Sequence, residues 1–120
     1  MSYYQKAKEL FKMIEQGKIL DALDKFYHKD VVIIADDGSE RIGIEQARFY
    51  DENLLREIQE VMGEEIITIA SDEDNGITMV EFWIKLQFKN GEKRTIREVA
   101  VQYWENDLII KETFYSKKCN

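Results

Sequence analysis

The spacing of apolar positions divides the chain into helical and strand-like stretches. In residues 3–16, Tyr3, Ala7, Leu10 and Ile14 recur at offsets of three and four with Tyr4 and Phe11 beside them, which predicts an amphipathic helix. Gly17 ends it, because glycine takes the left-handed backbone of a helix C-terminus without strain. A second helix is predicted at about 18–27, where Ile19, Leu20, Leu23, Phe26 and Tyr27 share one face. Val31-Val32-Ile33-Ile34-Ala35 is β-branched and apolar on both faces, the pattern of a short strand covered on both sides. Asp36 to Ser39 reads as a turn and Arg41-Ile42 as a short returning strand. Gly43 opens a third helix at roughly 44–55, with Ala47, Tyr50 and Leu54 on its buried side.

Residues 56–63 fit either a helix or the start of a strand. Ile66-Ile67-Thr68-Ile69-Ala70 is strand-like, and Ser71 to Gly76 is an acidic turn. Three long strands follow at about 77–89, 93–105 and 108–116, joined by the turn dipeptides Asn90-Gly91 and Asn106-Asp107. On the first, Phe82, Ile84, Leu86 and Phe88 alternate with Glu81, Trp83, Lys85 and Gln87, so the apolar set is expected to face the helices. On the second, Glu98, Ala100, Gln102 and Trp104 share one face and Val99, Val101 and Tyr103 the other. On the third, Ile110, Glu112 and Phe114 oppose Lys111, Thr113 and Tyr115, and alternation does not choose the inward set. Helices segregated from consecutive antiparallel strands define a single α+β domain over residues 1–120.

Composition narrows the function classes. The net charge of −7 leaves no basic footprint for nucleic acid. The cluster Lys89, Lys93, Arg94 and Arg97 is interrupted by Glu92 and Glu98, and with Lys117-Lys118 it reads as solvated surface. No apolar run approaches the roughly 18 residues of a membrane span, and no signal peptide core stands at the N-terminus. A single cysteine, Cys119, permits no internal disulfide and points to a reducing, cytoplasmic setting. Cys119 lies in a tail and lacks the basic surroundings of a nucleophile. His28, the one histidine, cannot by itself build a histidine-rich metal site and is expected at a helix end or on the surface. No phosphate loop, nucleotide fingerprint or Ser-His-Asp set is present, so no metal or other cofactor is implied.

Several words of the sequence resemble the nuclear transport factor 2-like superfamily, and within it the SnoaL-like and ketosteroid isomerase-like domains. They are Ile14-Glu15-Gln16-Gly17-Lys18-Ile19-Leu20-Asp21-Ala22-Leu23, then Phe26-Tyr27-His28-Lys29-Asp30-Val31-Val32, then Gly43-Ile44-Glu45-Gln46-Ala47. The closing Tyr103-Trp104, Asp107-Leu108-Ile109-Ile110 and Phe114-Tyr115 are similar to the family's last hairpin. The resemblance spans nearly the whole chain and rests on the order and spacing of these words. It implies a cone: a curved antiparallel sheet wrapped around the N-terminal helices, with a pocket on the concave side and subunit pairing through the convex side.

The positions that carry chemistry in ketosteroid isomerase-like relatives fall at Leu10, Ala35 and Ala100, none of which can donate or accept a proton. The resemblance therefore implies a small apolar ligand in the cone, with Tyr27, Tyr50, Glu98, Gln102 and Trp104 near it and Phe49 at its mouth. The alternative is a small isomerase, dehydratase or cyclase using Asp36 or Glu98 as acid or base, with Asp36 otherwise shaping its turn. A third reading is a protein-association module. Trp83, Val99, Val101 and Tyr103 would form an apolar convex patch, which predicts a homodimer.

Overall fold

The computed structural model describes residues 1–117; Lys118, Cys119 and Asn120 lie outside the described residues, so the expectation for Cys119 stays with the sequence. The first helix, α1 (Tyr3–Glu15), starts at a capping box. Ser2 Oγ accepts from Gln5 N at 3.1 Å and Gln5 Oε1 accepts from Ser2 N at 3.2 Å, which satisfies two of the helix's orphan donors. Glu73, in the turn before the fourth strand, accepts from Tyr3 N and Tyr4 N at 2.8 and 3.0 Å and ties that turn to the helix. Gly17 takes φ +79°, and α2 (Ile19–Phe26) follows at once.

The strands are β1 (Tyr27–Ile34), β2 (Glu40–Ile42), β3 (Ile58–Asp72), β4 (Ile77–Phe88), β5 (Lys93–Glu105) and β6 (Leu108–Ser116), with α3 (Ile44–Glu57) between β2 and β3. They form one sheet in the order β2-β1-β6-β5-β4-β3. Every neighbouring pair is antiparallel except β1 and β6, which run parallel, so the sheet is mixed where a fully antiparallel one was expected. The long connection from β1 through β2 and α3 to the other strands allows the parallel pairing. Strand β1 begins at Tyr27, four residues before the β-branched run, because pairing of Tyr27 with Ile109 of β6 overrides the polar sequence His28-Lys29-Asp30.

Residues 56–63 resolve into both alternatives. Helix α3 runs to Glu57, and Ile58 then pairs with Phe88 as the start of a 15-residue strand. Strand β3 shifts register against β4 at three places, and such bulges bend and twist a sheet. One lies between Val61 and Gly63, and a Cβ at residue 63 would stand 3.3 Å from the Trp83 ring. The Asn106-Asp107 turn uses positive φ at both residues. At the other hairpin only Gly91 does so, while Asn90 Oδ1 accepts from Glu92 N at 2.9 Å.

Helix α1 packs on β3 and β4, α3 on β1 and β2, and α2 between α1 and α3. The core joins Ala7, Leu10 and Phe11 to Leu23 and Phe26 and to Val31, Val80, Ala100 and Ile109 of the sheet. Among the described residues, no helix is long and apolar enough to cross a membrane.

Candidate functional site

A pocket of about 370 Å³ lies between α1, the inner edge of α3 and the concave side of the sheet. Leu10, Phe11 and Ile14 form its helical wall, and Phe82, Leu86 and Phe114 part of its sheet wall. The polar groups in this apolar space are almost all acidic: Glu98, Glu112 and Asp51, with Glu64 further out.

Glu112 sits on β6 with 2% of its surface exposed. Tyr27 OH donates to its Oε1 and Gln102 Nε2 to its Oε2, each at 2.7 Å. A chain of donors continues behind it. Thr78 Oγ1 donates to Gln102 Oε1 at 2.7 Å, and Trp104 Nε1 donates to Thr78 Oγ1 at 2.8 Å. Each of these buried groups has a partner, which such groups need if they are not to cost stability. Burial pushes the Glu112 carboxyl up to about 7, against the lowering effect of its two donors. Burial, and then the adjoining carboxylate, hold the Tyr27 hydroxyl well above its ordinary value.

Glu98 and Asp51 differ from Glu112 in having no hydrogen bond to another described residue. Glu98 is half-buried on β5, and burial together with the nearby Asp36 charge pushes it up to about 7. Asp51, half-buried on α3, is raised by burial to about 6. Arg41 opposes all of these shifts without pairing with any of the three carboxylates. Among the described residues, no group of three or more His, Cys, Asp or Glu side chains is placed to hold a metal ion.

The expected site residues are distributed unevenly. The inward face of β5 is the one carrying Glu98, Ala100, Gln102 and Trp104. Tyr27 and Glu98 line the pocket, whereas Gln102 and Trp104 stand behind its wall in the hydrogen-bonded chain. Tyr50 and Phe49 are displaced from the expected mouth. They are 45% and 67% exposed and line a separate, shallower groove. The cause is the rotation of α3, which turns Ala47 and Asp51 inward, one helical turn apart, in place of Ala47 and Tyr50. Asp36 is exposed, and its Oδ2 accepts from Ser116 Oγ at 2.7 Å, outside the pocket lining. Its neighbour Asp37 shapes the turn by accepting from Ser39 N and Oγ. His28 Nδ1 accepts from Asp30 N at 3.0 Å on the way into β1. Leu10 and Ala100 are buried apolar residues of the core.

Sequence reasoning missed Glu112 and Asp51 as pocket residues. The available signal was an acid set among apolar residues in a strand or helix pattern; for Glu112 the parity of β6 was undecided, and for Asp51 the helix face was set one position away.

No family model and no curated protein sequence matches this chain. Its structure is similar to several solved ones. A candidate SnoaL-like polyketide cyclase from Mesorhizobium loti superposes with a TM-score of 0.82 at 22% identity, covering 96% of this chain and 99% of that one. A nuclear transport factor 2-like protein of unknown function from Burkholderia pseudomallei gives 0.80 at 16% identity, over 98% and 92%. A candidate isomerase from Bacillus subtilis gives 0.79 at 14% identity, over 98% and 90%. The chain therefore has the α+β cone fold of SnoaL-like and nuclear transport factor 2-like domains.

Proposed function

We propose that this chain binds a small, mainly apolar molecule in the cone, held against Tyr27 and Glu98. The observation that supports the reading is a pocket of about 370 Å³, walled mainly by apolar side chains and carrying polar groups among them, the usual construction of a small-molecule site. A neutral apolar fluorophore such as N-phenyl-1-naphthylamine is expected to brighten on binding. Ile84→Trp, which places an indole in the pocket lining, is expected to abolish that signal while leaving the unfolding midpoint within a few degrees. Equal fluorescence with both proteins would sink the reading.

A second reading is acid–base catalysis of the isomerase, dehydratase or cyclase type, with Glu98 as the proton-transfer group. It is favoured by a carboxyl on the pocket wall that has no hydrogen bond and titrates near 7, where a general acid or base works best. In deuterium oxide, Glu98 would take an α-proton from a bound ketone and return a deuteron, so the net change is isotopic exchange. Incorporation into 2-tetralone above the buffer rate, lost in Glu98→Gln, is the expected result. Exchange at the buffer rate would remove the catalytic reading and leave the binding one. Asp36, exposed and bonded to Ser116, is less suited to the same role.

We also propose that the sheet face carrying Val99 and Tyr103 pairs two copies of the chain; of the other two residues expected there, Val101 is buried, and Trp83 lines the pocket and donates to Glu65 Oε1 at 3.0 Å. Met79 and Tyr115, 47% and 57% exposed, extend the apolar character of that face. Light scattering behind a sizing column at micromolar concentration is expected to give the dimer mass; a monomer mass would refute the pairing.

A further inference from the structure

The pocket and the outer groove carry opposite charge patterns, and they share Arg41 and Leu54 as lining residues. Inside, the ionisable lining consists of Glu15, Asp51, Glu64, Glu65, Glu98 and Glu112 together with Tyr27, and Arg41 is the one cation among the described residues. Outside, the groove of about 1030 Å³ runs between α3 and the β4–β5 hairpin, with Arg41, Arg56, Lys89 and Arg94 along it. Three acids also line the groove, Glu45, Glu57 and Glu92; Glu92 and Arg94 pair with each other at 2.9 Å and Glu45 pairs with Arg48 at 3.7 Å, which leaves Arg41, Arg56 and Lys89 against Glu57. In a chain of net charge −7, a groove with a surplus of cations is a local reversal.

Arg41 stands at the boundary in an unusual state. Its guanidinium lies 3.4 Å from the centroid of the Tyr50 ring, so its face is occupied, yet its N–H edge makes no hydrogen bond or ion pair with any described residue. A guanidinium stacked on an aromatic ring is pre-oriented, and its free fork matches a carboxylate with two parallel hydrogen bonds. The acids deeper in the cone would repel the same group, so a ligand carrying it would enter in one orientation.

We propose that the ligand is an apolar molecule bearing one carboxylate, its apolar body in the cone and its carboxylate on the Arg41 guanidinium at the groove. This rests on the reading of the cone as a ligand site and adds the ligand's charge and direction. Arg41 is then a specificity-determining residue, and Tyr50 positions it.

The test measures binding of 4-phenylbutyrate, 4-phenylbutanamide and 4-phenylbutylamine to the whole chain by calorimetry at pH 7. The body is constant and the head changes from anion to neutral to cation. The acid is expected to bind about 10-fold tighter than the amide, as a charge-assisted pair implies, and the amine weakest. Arg41→Gln is expected to bring the acid down to the amide's affinity without changing the amide. Arg41→Lys, which keeps the charge and loses the fork, is expected to fall between, and it serves if the glutamine variant does not fold. Equal binding of the three heads, or tightest binding of the amine, would overturn the inference while leaving the pocket reading intact. A preference for the acid that survives in both Arg41 variants would also overturn it. Failure of all three compounds to bind at millimolar concentration would overturn the pocket reading along with it.

Discussion

Two carboxylates of the same pocket, Glu112 and Glu98, differ in what surrounds them. Glu112 receives a hydrogen bond on each oxygen and ends a chain of donors running from Trp104 through Thr78 and Gln102. Glu98 receives none from the described residues and faces the pocket from β5. Both are pushed up to about 7. The similar titration hides a difference in use. A carboxylate whose acceptors are filled by the protein is held in place and contributes to the uniqueness of the core. A carboxylate whose acceptors are open is available to a ligand. The contrast separates structural from functional acids by partners, where burial and pKa alone would merge them.

Removing the middle of the chain should break this contrast most severely. Gln102→Leu strands the Thr78 hydroxyl without its acceptor and one Glu112 oxygen without its donor, both in the buried core. Unsatisfied buried groups cost about 1–3 kcal/mol each, so urea unfolding is expected to show a loss of about 3 kcal/mol. It should also drive Glu112 further upward, because a hydrogen bond that favoured the ionised form is gone. A loss below 1 kcal/mol would mean that the chain is not holding Glu112, and the distinction from Glu98 would fall.

The next effect is the pH dependence of stability. The folded protein raises the Glu112 carboxyl from an ordinary 4.5 to about 7, so the native state binds the proton more firmly than the unfolded chain. That contribution is fully present below about pH 4.5 and is lost as the pH rises through about 7. At 1.36 kcal/mol per pKa unit it amounts to roughly 2–3 kcal/mol of stability lost between pH 5 and 8. Asp51 and Glu98, also raised, act in the same direction. The lowered, exposed Asp24 and Glu73 act in the opposite direction at lower pH and are screened by solvent. Glu112→Gln, measured by urea unfolding at both pH values, is expected to reduce the slope and leave the share carried by Glu98 and Asp51. An unchanged slope would place the titration elsewhere.

The fold was largely legible because its signals are local. The alternation of Phe82, Leu86 and Phe88 and the turn at Asn106-Asp107 each specify structure from a few residues. The site was less so, and the reason lies in register. Counting back from the turn, Glu105 pairs with Leu108 and Trp104 with Ile109, which would set Gln102 opposite Lys111. A shift between Tyr103 and Trp104 sets Gln102 opposite Glu112 instead. One extra residue exchanges the faces of β6, and with them a cation for the buried acid. Nothing in Ile109-Ile110-Lys111 marks the bulge locally. It follows from packing that seats Ile109 in the core and Glu112 within reach of Tyr27 across the parallel β1–β6 pairing, a contact 85 residues distant in sequence. The same kind of non-local choice turned α3 to present Asp51 in place of Tyr50.

The smallest expected effect on stability is at Glu98, and its smallness is the point of the comparison. Glu98→Gln removes a half-exposed charge with no hydrogen bond to lose, so it should change stability by less than about 1 kcal/mol once solvent screening is counted. The sign should favour the variant above pH 7, where the native protein otherwise carries an ionised carboxylate in an apolar wall, and the difference should vanish below about pH 4.5. Ligand affinity should respond differently. For a carboxylate-bearing ligand, ionisation of Glu98 places a second negative charge beside the bound molecule, so affinity should weaken from pH 6 to 8 in the natural protein and weaken less in Glu98→Gln, where Glu112 and Asp51 still ionise. If instead Glu98→Gln unfolds the protein as readily as Gln102→Leu, Glu98 is a structural acid with partners of its own, and the division between held and available carboxylates fails.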